Sequence, residues 1–198
     1  REPKDQIKRF FRRINDSVVD YIGGEEVPLV LAGVSEYLPV YEAVNSYSHL
    51  VDHDIVSGNP EHLELSELHE KAWSVVESVL TERQQEELER FEDLYFQNEE
   101  LASDDFHEII PACAYGRVEA LFVPMGQYRW GRFDPDTNTV EVHESQQPGD
   151  GDLLNYAALQ SYLNAATVHV LQPQDMPGGR DVAATFRYPA DVKATETG

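Results

Sequence analysis

Gly116-Arg117-Val118-Glu119-Ala120-Leu121-Phe122-Val123 reads as a helix stop followed at once by a buried strand. Ahead of it, Phe106, Ile109, Ile110 and Cys113 recur at helical spacing, and Ser103-Asp104-Asp105 supplies a hydroxyl N-cap with acids in the first turn. Gly116 stands where a helix takes its left-handed C-terminal residue. The apolar run from Val118 to Val123, ended by Pro124, suits a strand covered by helices on both faces. The stretch is thus a helix-into-sheet joint, and Arg117 and Glu119 read as surface or edge charges.

Toward the C-terminus, Tyr128–Phe133 and Thr139–His143 alternate around Asp134-Pro135-Asp136-Thr137-Asn138, the pattern of a hairpin. Asp150 or Asp152 caps a helix carrying Leu153, Leu154, Ala157, Ala158 and Leu163, with Asn164 as its left-handed stop. Thr167–Leu171 and Val182–Tyr188 are strands, separated by a turn at Met176-Pro177-Gly178-Gly179, and a polar tail runs from Pro189.

Toward the N-terminus the pattern is long and helical from Leu65 to Tyr95, with Thr81-Glu82-Arg83-Gln84 fitting a capping box that restarts the helix after a kink near Leu80. Glu86, Glu87, Glu89, Glu92, Glu99 and Glu100 form its expected solvated face. Ile7, Phe11, Ile14, Val18 and Ile22 make one stripe of a first helix that ends at Gly23-Gly24. Val27–Val34 reads as a second buried strand, followed by a short helix over 36–46 that Pro39 interrupts and by a loop from Asn45 to Pro60. The expected organisation is two α/β pieces, 1–62 and 99–198, joined by a helical connector over 63–98.

The chain of 198 residues carries 37 Asp and Glu against 15 Lys and Arg, a net charge of -22. Such a chain repels nucleic acid overall, and DNA is not an expected ligand. Two readings of the acidity stay open: a solvating surface suited to a salt-rich cytoplasm, or a docking face for a basic partner. The first thirteen residues dissent, with Arg1, Lys4, Lys8, Arg9, Arg12 and Arg13 against Glu2 and Asp5. The single cysteine, Cys113, falls on an apolar stripe, which excludes an internal disulfide framework and fits a reducing compartment. No apolar run approaches the ~20 residues of a membrane span. A soluble, cytoplasmic protein without a membrane partner is expected.

Chemistry-bearing motifs are few. No nucleophile elbow, P-loop or dinucleotide fingerprint occurs, and no cofactor is implied. His49 and His53, with His62 and His69, are the material for a metal-dependent hydrolase, one rival reading beside an acidic protein-interaction module, but no H-E-x-x-H or Cys pair supports them. Asp134, Asp136 and Asn138 copy the first three ligands of a calcium loop, yet Thr139 replaces its glycine and Ser145 its glutamate. No metal ligand or catalytic residue is assigned. Single-stranded RNA is gripped by stacking plus phosphate contacts. The groups of that kind are Lys8, Arg9, Arg12 and Arg13 in the first helix and Arg129, Trp130 and Arg132 in the hairpin, where alternation would send half of the Tyr128–Phe133 segment into the core.

Phe10-Phe11-Arg12-Arg13 leading a helix, Pro28–Val34, Gly116–Val123, Trp130-Gly131-Arg132-Phe133-Asp134 and Phe186-Arg187-Tyr188 occur in a specific order across about residues 5 to 188. That order resembles the middle and C-terminal domains of class I peptide release factors of eukaryotes and archaea and of Pelota. More closely, it is similar to the bacterial archaeo-eukaryotic release factor family. The resemblance implies an α/β class: the C-terminal half of a ribonuclease-H-like domain, then an α/β/α sandwich like that of kink-turn RNA-binding ribosomal proteins. It implies a role in translation or ribosome rescue, with the ribosome or rRNA and a translation GTPase-like protein as partners. Release factors hydrolyse peptidyl-tRNA through a Gly-Gly-Gln loop. Gly23-Gly24-Glu25 differs from it in place and in third residue, so the hydrolytic loop is expected upstream of Arg1 and no catalytic role is carried over.

Overall fold

A computed structural model describes residues 2–25, 27–51, 56–57, 63–97 and 99–190, with the backbone alone for 2–4, 56–57 and 99. The chain divides into two compact units, Arg1–Arg83 and Gln84–Gly198. The mixed α/β class expected from sequence is what it has.

In the first unit, helix α1 spans Glu2–Ile22 and is stopped by Gly23 and Gly24, both at positive φ. Asn15 holds it down from its buried side: its amide donates to Ser46 Oγ at 2.8 Å and its carbonyl accepts from the Ser46 N–H at 3.1 Å. Phe11 meets Tyr41 edge-on with ring centroids 5.7 Å apart. The run Val27–Val34 is not the buried strand predicted. Among the described residues only β1, Ala32–Gly33, pairs there, in parallel with β2, Val56–Ser57, and Leu29 makes a single bridge to Leu50. Val27 and Val34 are more than two-fifths exposed. An apolar run becomes a buried strand only where other strands flank it along its length, and Pro28 contributes no N–H to any ladder.

Helix α2, Leu38–Glu42, carries Pro39 in its first turn, so the proline helps to start that helix instead of interrupting it. Helix α3, Leu65–Gln97, runs without the predicted break. The Thr81 hydroxyl donates to the Glu77 carbonyl at 2.8 Å, a bond within the helix and not a cap.

The second unit begins within α3. It continues with β3 (Ala102–Ser103), α4 (Phe106–Ala114), β4 (Val118–Pro124), β5 (Trp130–Asp134), β6 (Thr139–His143), β7 (Gly151–Asp152), α5 (Leu153–Leu163), β8 (Thr167–Leu171) and β9 (Ala183–Phe186). One sheet has the order β3-β9-β4-β8, with β8 parallel to β4 and β9 antiparallel to it; β6-β5-β7 form a second. Ile109, Ile110 and Cys113 of α4 and Leu153, Leu154 and Ala157 of α5 pack on the side of β4 that shows Val118, Leu121 and Val123. On the other side Ala120 and Phe122 meet Phe91 of α3. This is the predicted α/β/α layering, with side chains of β4 sent to both faces of the sheet.

The opening stretch closes α4 as a two-bond C-terminal motif: Arg117 N–H donates to the Ala112 carbonyl at 2.8 Å and Gly116 N–H to Cys113 at 3.3 Å, with Gly116 at φ +70°. Three details differ from expectation, and one open choice is decided. Asp105, not Ser103, caps α4, because Ser103 is committed to the β3–β9 pair. Of the two expected candidates it is Asp152 that caps α5, accepting from the Leu154 N–H. Asn164 ends α5 at negative φ, and the left-handed residue is Ala165. Arg117 is no surface charge: it lies 3.8 Å over the Phe186 ring and pairs with Glu108 at 3.2 Å.

Candidate nucleic-acid interface

The two basic groups picked out by sequence lie in different units. On α1 the buried stripe turns Lys8, Arg9, Arg12 and Arg13 to solvent. Among the described residues no carboxylate comes within ion-pair distance of any of the four. Beside them Phe10 is 60% exposed and Tyr21 93% exposed, and both flank an open groove with Arg13, Ile14, Ser17 and Val18. Guanidinium groups next to exposed rings can neutralise phosphates and stack on bases. Phe10 and Tyr21 are not among the candidates expected from sequence. The signal was present in the spacing of Phe10, Arg13, Ser17 and Tyr21, one helical face at steps of three and four.

The hairpin group is built differently. Strand alternation puts Trp130 and Arg132 on one face of β5 and sends Phe133 to the core, as predicted. Trp130 stacks on Tyr128 with centroids 5.8 Å apart and planes 6° from parallel. Both arginines, however, are taken by carboxylates. Arg129 pairs with Asp181, while Arg132 meets Glu141 at 2.9 Å and Asp150 at 3.5 Å. Gly131 between them is required by close approach: a Cβ there would collide with the Glu141 carbonyl and sit 2.7 Å from Leu153.

Asp150 is the buried anchor of this end of the unit. Its Oδ2 accepts from the Gln147 N–H and meets His143 Nδ1, each at 2.8 Å. Burial works against ionisation, but the Gln147 N–H, the His143 ring and the Arg132 charge outweigh it and hold the carboxyl below its ordinary value. A cavity of about 550 Å³ nearby is lined by Arg132, Asp134, Glu141, Asp152 and Tyr156, a set whose carboxylates oppose a phosphate.

The same pairing holds through the second unit. Arg90 makes a bidentate contact to Glu119, Arg180 binds Asp104 and Glu92, and Arg187 donates to the carbonyls of Gly116, Asn164 and Ala165 where α4 and α5 end. Glu87 and Glu92 therefore do not belong to the solvated face predicted for them, since Glu87 meets His169 Nε2 at 2.6 Å. Cys113, buried and accepting from Ser161 Oγ, has its thiol pushed up to about 11 by burial, which rules out a thiolate nucleophile near neutral pH.

The hydrolase reading finds no support. His49 packs against Tyr47, His69 stacks on Trp73, and among the described residues no group of three metal-binding side chains converges; His53 and His62 lie outside them. Asp134, Asp136 and Asn138 form the hairpin turn, with Asp134 accepting from the Asp136 N–H. No described helix is long and apolar enough to cross a membrane.

The model of the bacterial archaeo-eukaryotic release factor family 3 matches residues 1–117, more than half of the chain. Among solved structures, a model of ribosome-bound archaeal Pelota and ABCE1 is similar with a TM-score of 0.53 and 16% identity, over 91% of this chain and 49% of that one. The crystal structure of Archaeoglobus fulgidus Pelota aligns over 92% of this chain and 54% of its own, at 15% identity and a TM-score of 0.37. The chain thus spans about half the length of these structures. No curated protein matches. The family model covers the exposed basic helix and runs through α4 to Arg117, and the chain belongs to the bacterial archaeo-eukaryotic release factor family 3.

Proposed function

We propose that this chain is a ribosome-associated factor of translation or ribosome rescue that touches rRNA through α1. The observation that carries the reading is the division of cations. Every described arginine of the second unit is engaged by carboxylates or helix-end carbonyls, whereas Lys8, Arg9, Arg12 and Arg13 stand exposed beside Phe10 and Tyr21 with no ion pair among the described residues. In a chain of net charge -22, a cationic helix face is where a polyanion meets least repulsion. The relative captured on the ribosome supports the setting. Arg129, Trp130 and Arg132 are a weaker second contact, offering a ring but little free charge.

No catalytic residue is part of the proposal, and 63–98 is proposed as the helical connector between the two pieces. Co-sedimentation with ribosomes over a series of salt concentrations tests it. Binding at low salt that declines as salt rises is expected, and failure to co-sediment at low salt sinks the reading. Reversing Arg9, Arg12 and Arg13 to Glu should flatten the salt dependence by roughly 0.7–0.9 in slope for each phosphate left without its cation.

A further inference from the structure

From Leu153 to Gln174 the chain contains no Asp, Glu, Lys or Arg, although about a quarter of all its residues are charged. The structure folds that stretch into α5 and β8, which are neighbours on the second unit. Neither is fully covered. On α5 Leu159 is 51%, Tyr162 74% and Leu163 66% exposed, on the helix side away from buried Leu154, Ala157 and Ser161. Such a helix, apolar on both its inner and outer sides, is usually enclosed.

Strand β8 is the outermost of its sheet: β4 pairs with it on one side, and among the described residues no strand pairs on the other. Alternate N–H and C=O groups of Thr167–Leu171 therefore face outward as a free edge. Proteins usually defend such an edge with lysine, proline or an inward charge; the strand itself has none of these, and Val170 is 53% exposed. Val170 shares its sheet face with Val168, which packs into the core under α5. On the opposite face the nearest carboxylate, Glu87, is already held by His169.

We infer that the β8 edge and the outer side of α5 are where a second copy of this chain docks, with β8 pairing antiparallel to its symmetry mate about a twofold axis at His169. Val168 of each copy then lies across from Val170 of the other, their Cβ atoms about 4.5–5.5 Å apart. The sheet becomes continuous through both copies, and the two α5 helices lie on the same face of it.

The charge distribution selects a second copy over other occupants. A basic partner would be drawn by carboxylates, and this face offers it none. Two copies of a chain with net charge -22 repel wherever their acidic surfaces approach, so a self-contact requires a face without charge. An interface core depleted in charge and carrying an aromatic residue is also the usual composition of a lasting contact.

The test is the mass in solution by analytical ultracentrifugation, at low and high salt, for the wild type, Val170→Lys and Leu159→Glu. A reversible dimer is expected, with its fraction rising as salt screens the repulsion between copies. Val170→Lys should shift the dissociation constant at least tenfold and Leu159→Glu should weaken dimerisation, both with unchanged circular dichroism and melting. A monomer at every salt and concentration, open-ended oligomers, or a dimer that Val170→Lys leaves intact would each overturn the inference. Ribosome co-sedimentation of Val170→Lys is expected to match the wild type, so the outcome is independent of the rRNA reading.

Discussion

Val27–Val34 in the first unit and Val118–Pro124 in the second are nearly equal in apolar content, yet they end in opposite states. The second is buried along almost its whole length between strands β8 and β9 and under two helical layers. The first leaves both its terminal valines exposed and, among the described residues, pairs over two residues besides one bridge at Leu29. The same contrast runs through the charges. The second unit buries or pairs its arginines, while α1 in the first shows its cations to solvent. Burial is decided by what lies alongside a segment, and the unit that encloses its side chains is the one that satisfies its charges internally.

The largest expected effect tests the enclosed side of that contrast. Phe122 is fully buried against Phe91 and His169, so Phe122→Ala should cost about 3–5 kcal/mol in urea unfolding. Val27→Ala, a truncation on the exposed run, should stay within about 0.5 kcal/mol. Comparable losses at the two sites would erase the distinction.

Next come two glycines of the second unit, Gly131 within β5 and Gly116 after α4. Gly131→Ala forces a Cβ into the Glu141 backbone and should cost more than Gly116→Ala, whose Cβ would lie 3.3 Å from the Asn164 side chain at positive φ. The Gly116 change is expected to cost about 1–2 kcal/mol. Melting temperatures of the two variants give the order directly.

A third test uses pH. The Asp150 carboxyl is held below its ordinary value, so its contribution is present above the unfolded value of about 3.9 and is lost as pH falls through the lower folded value. The stability gap between wild type and Asp150→Asn should therefore be flat from neutral pH down to about 4 and close below it. A gap that persists unchanged into strong acid would show that the carboxylate charge plays no part in holding Gln147 and His143.

The smallest effect on stability belongs to α1. Reversal of Arg9, Arg12 and Arg13 to Glu should shift the unfolding midpoint little, on the order of 0.5 kcal/mol, because none has a described ion-pair partner to lose. Its effect should appear in ribosome co-sedimentation instead. A large loss of stability would mean that these cations serve the fold, as Arg117 and Arg180 do.

What could be read directly from the chain was whatever depends on neighbours close in sequence. Helical spacing located α1, α4 and α5, the Gly116 stop and the hairpin, because a helical or strand period is a property of the segment itself. The exposure of the basic group on α1 was legible for the same reason, since the apolar stripe of the helix turns the positions between its members to solvent. Only the tertiary structure decided what depends on distant partners. It capped α4 with Asp105 because Ser103 is drawn into a pair with β9, and it neutralised Arg129 and Arg132 through Asp181 and Asp150. It also left Val27 and Val34 exposed while β4 was enclosed. Charge pairing and strand burial act across tens of residues of sequence, so periodicity can nominate their members but cannot say which of them meet.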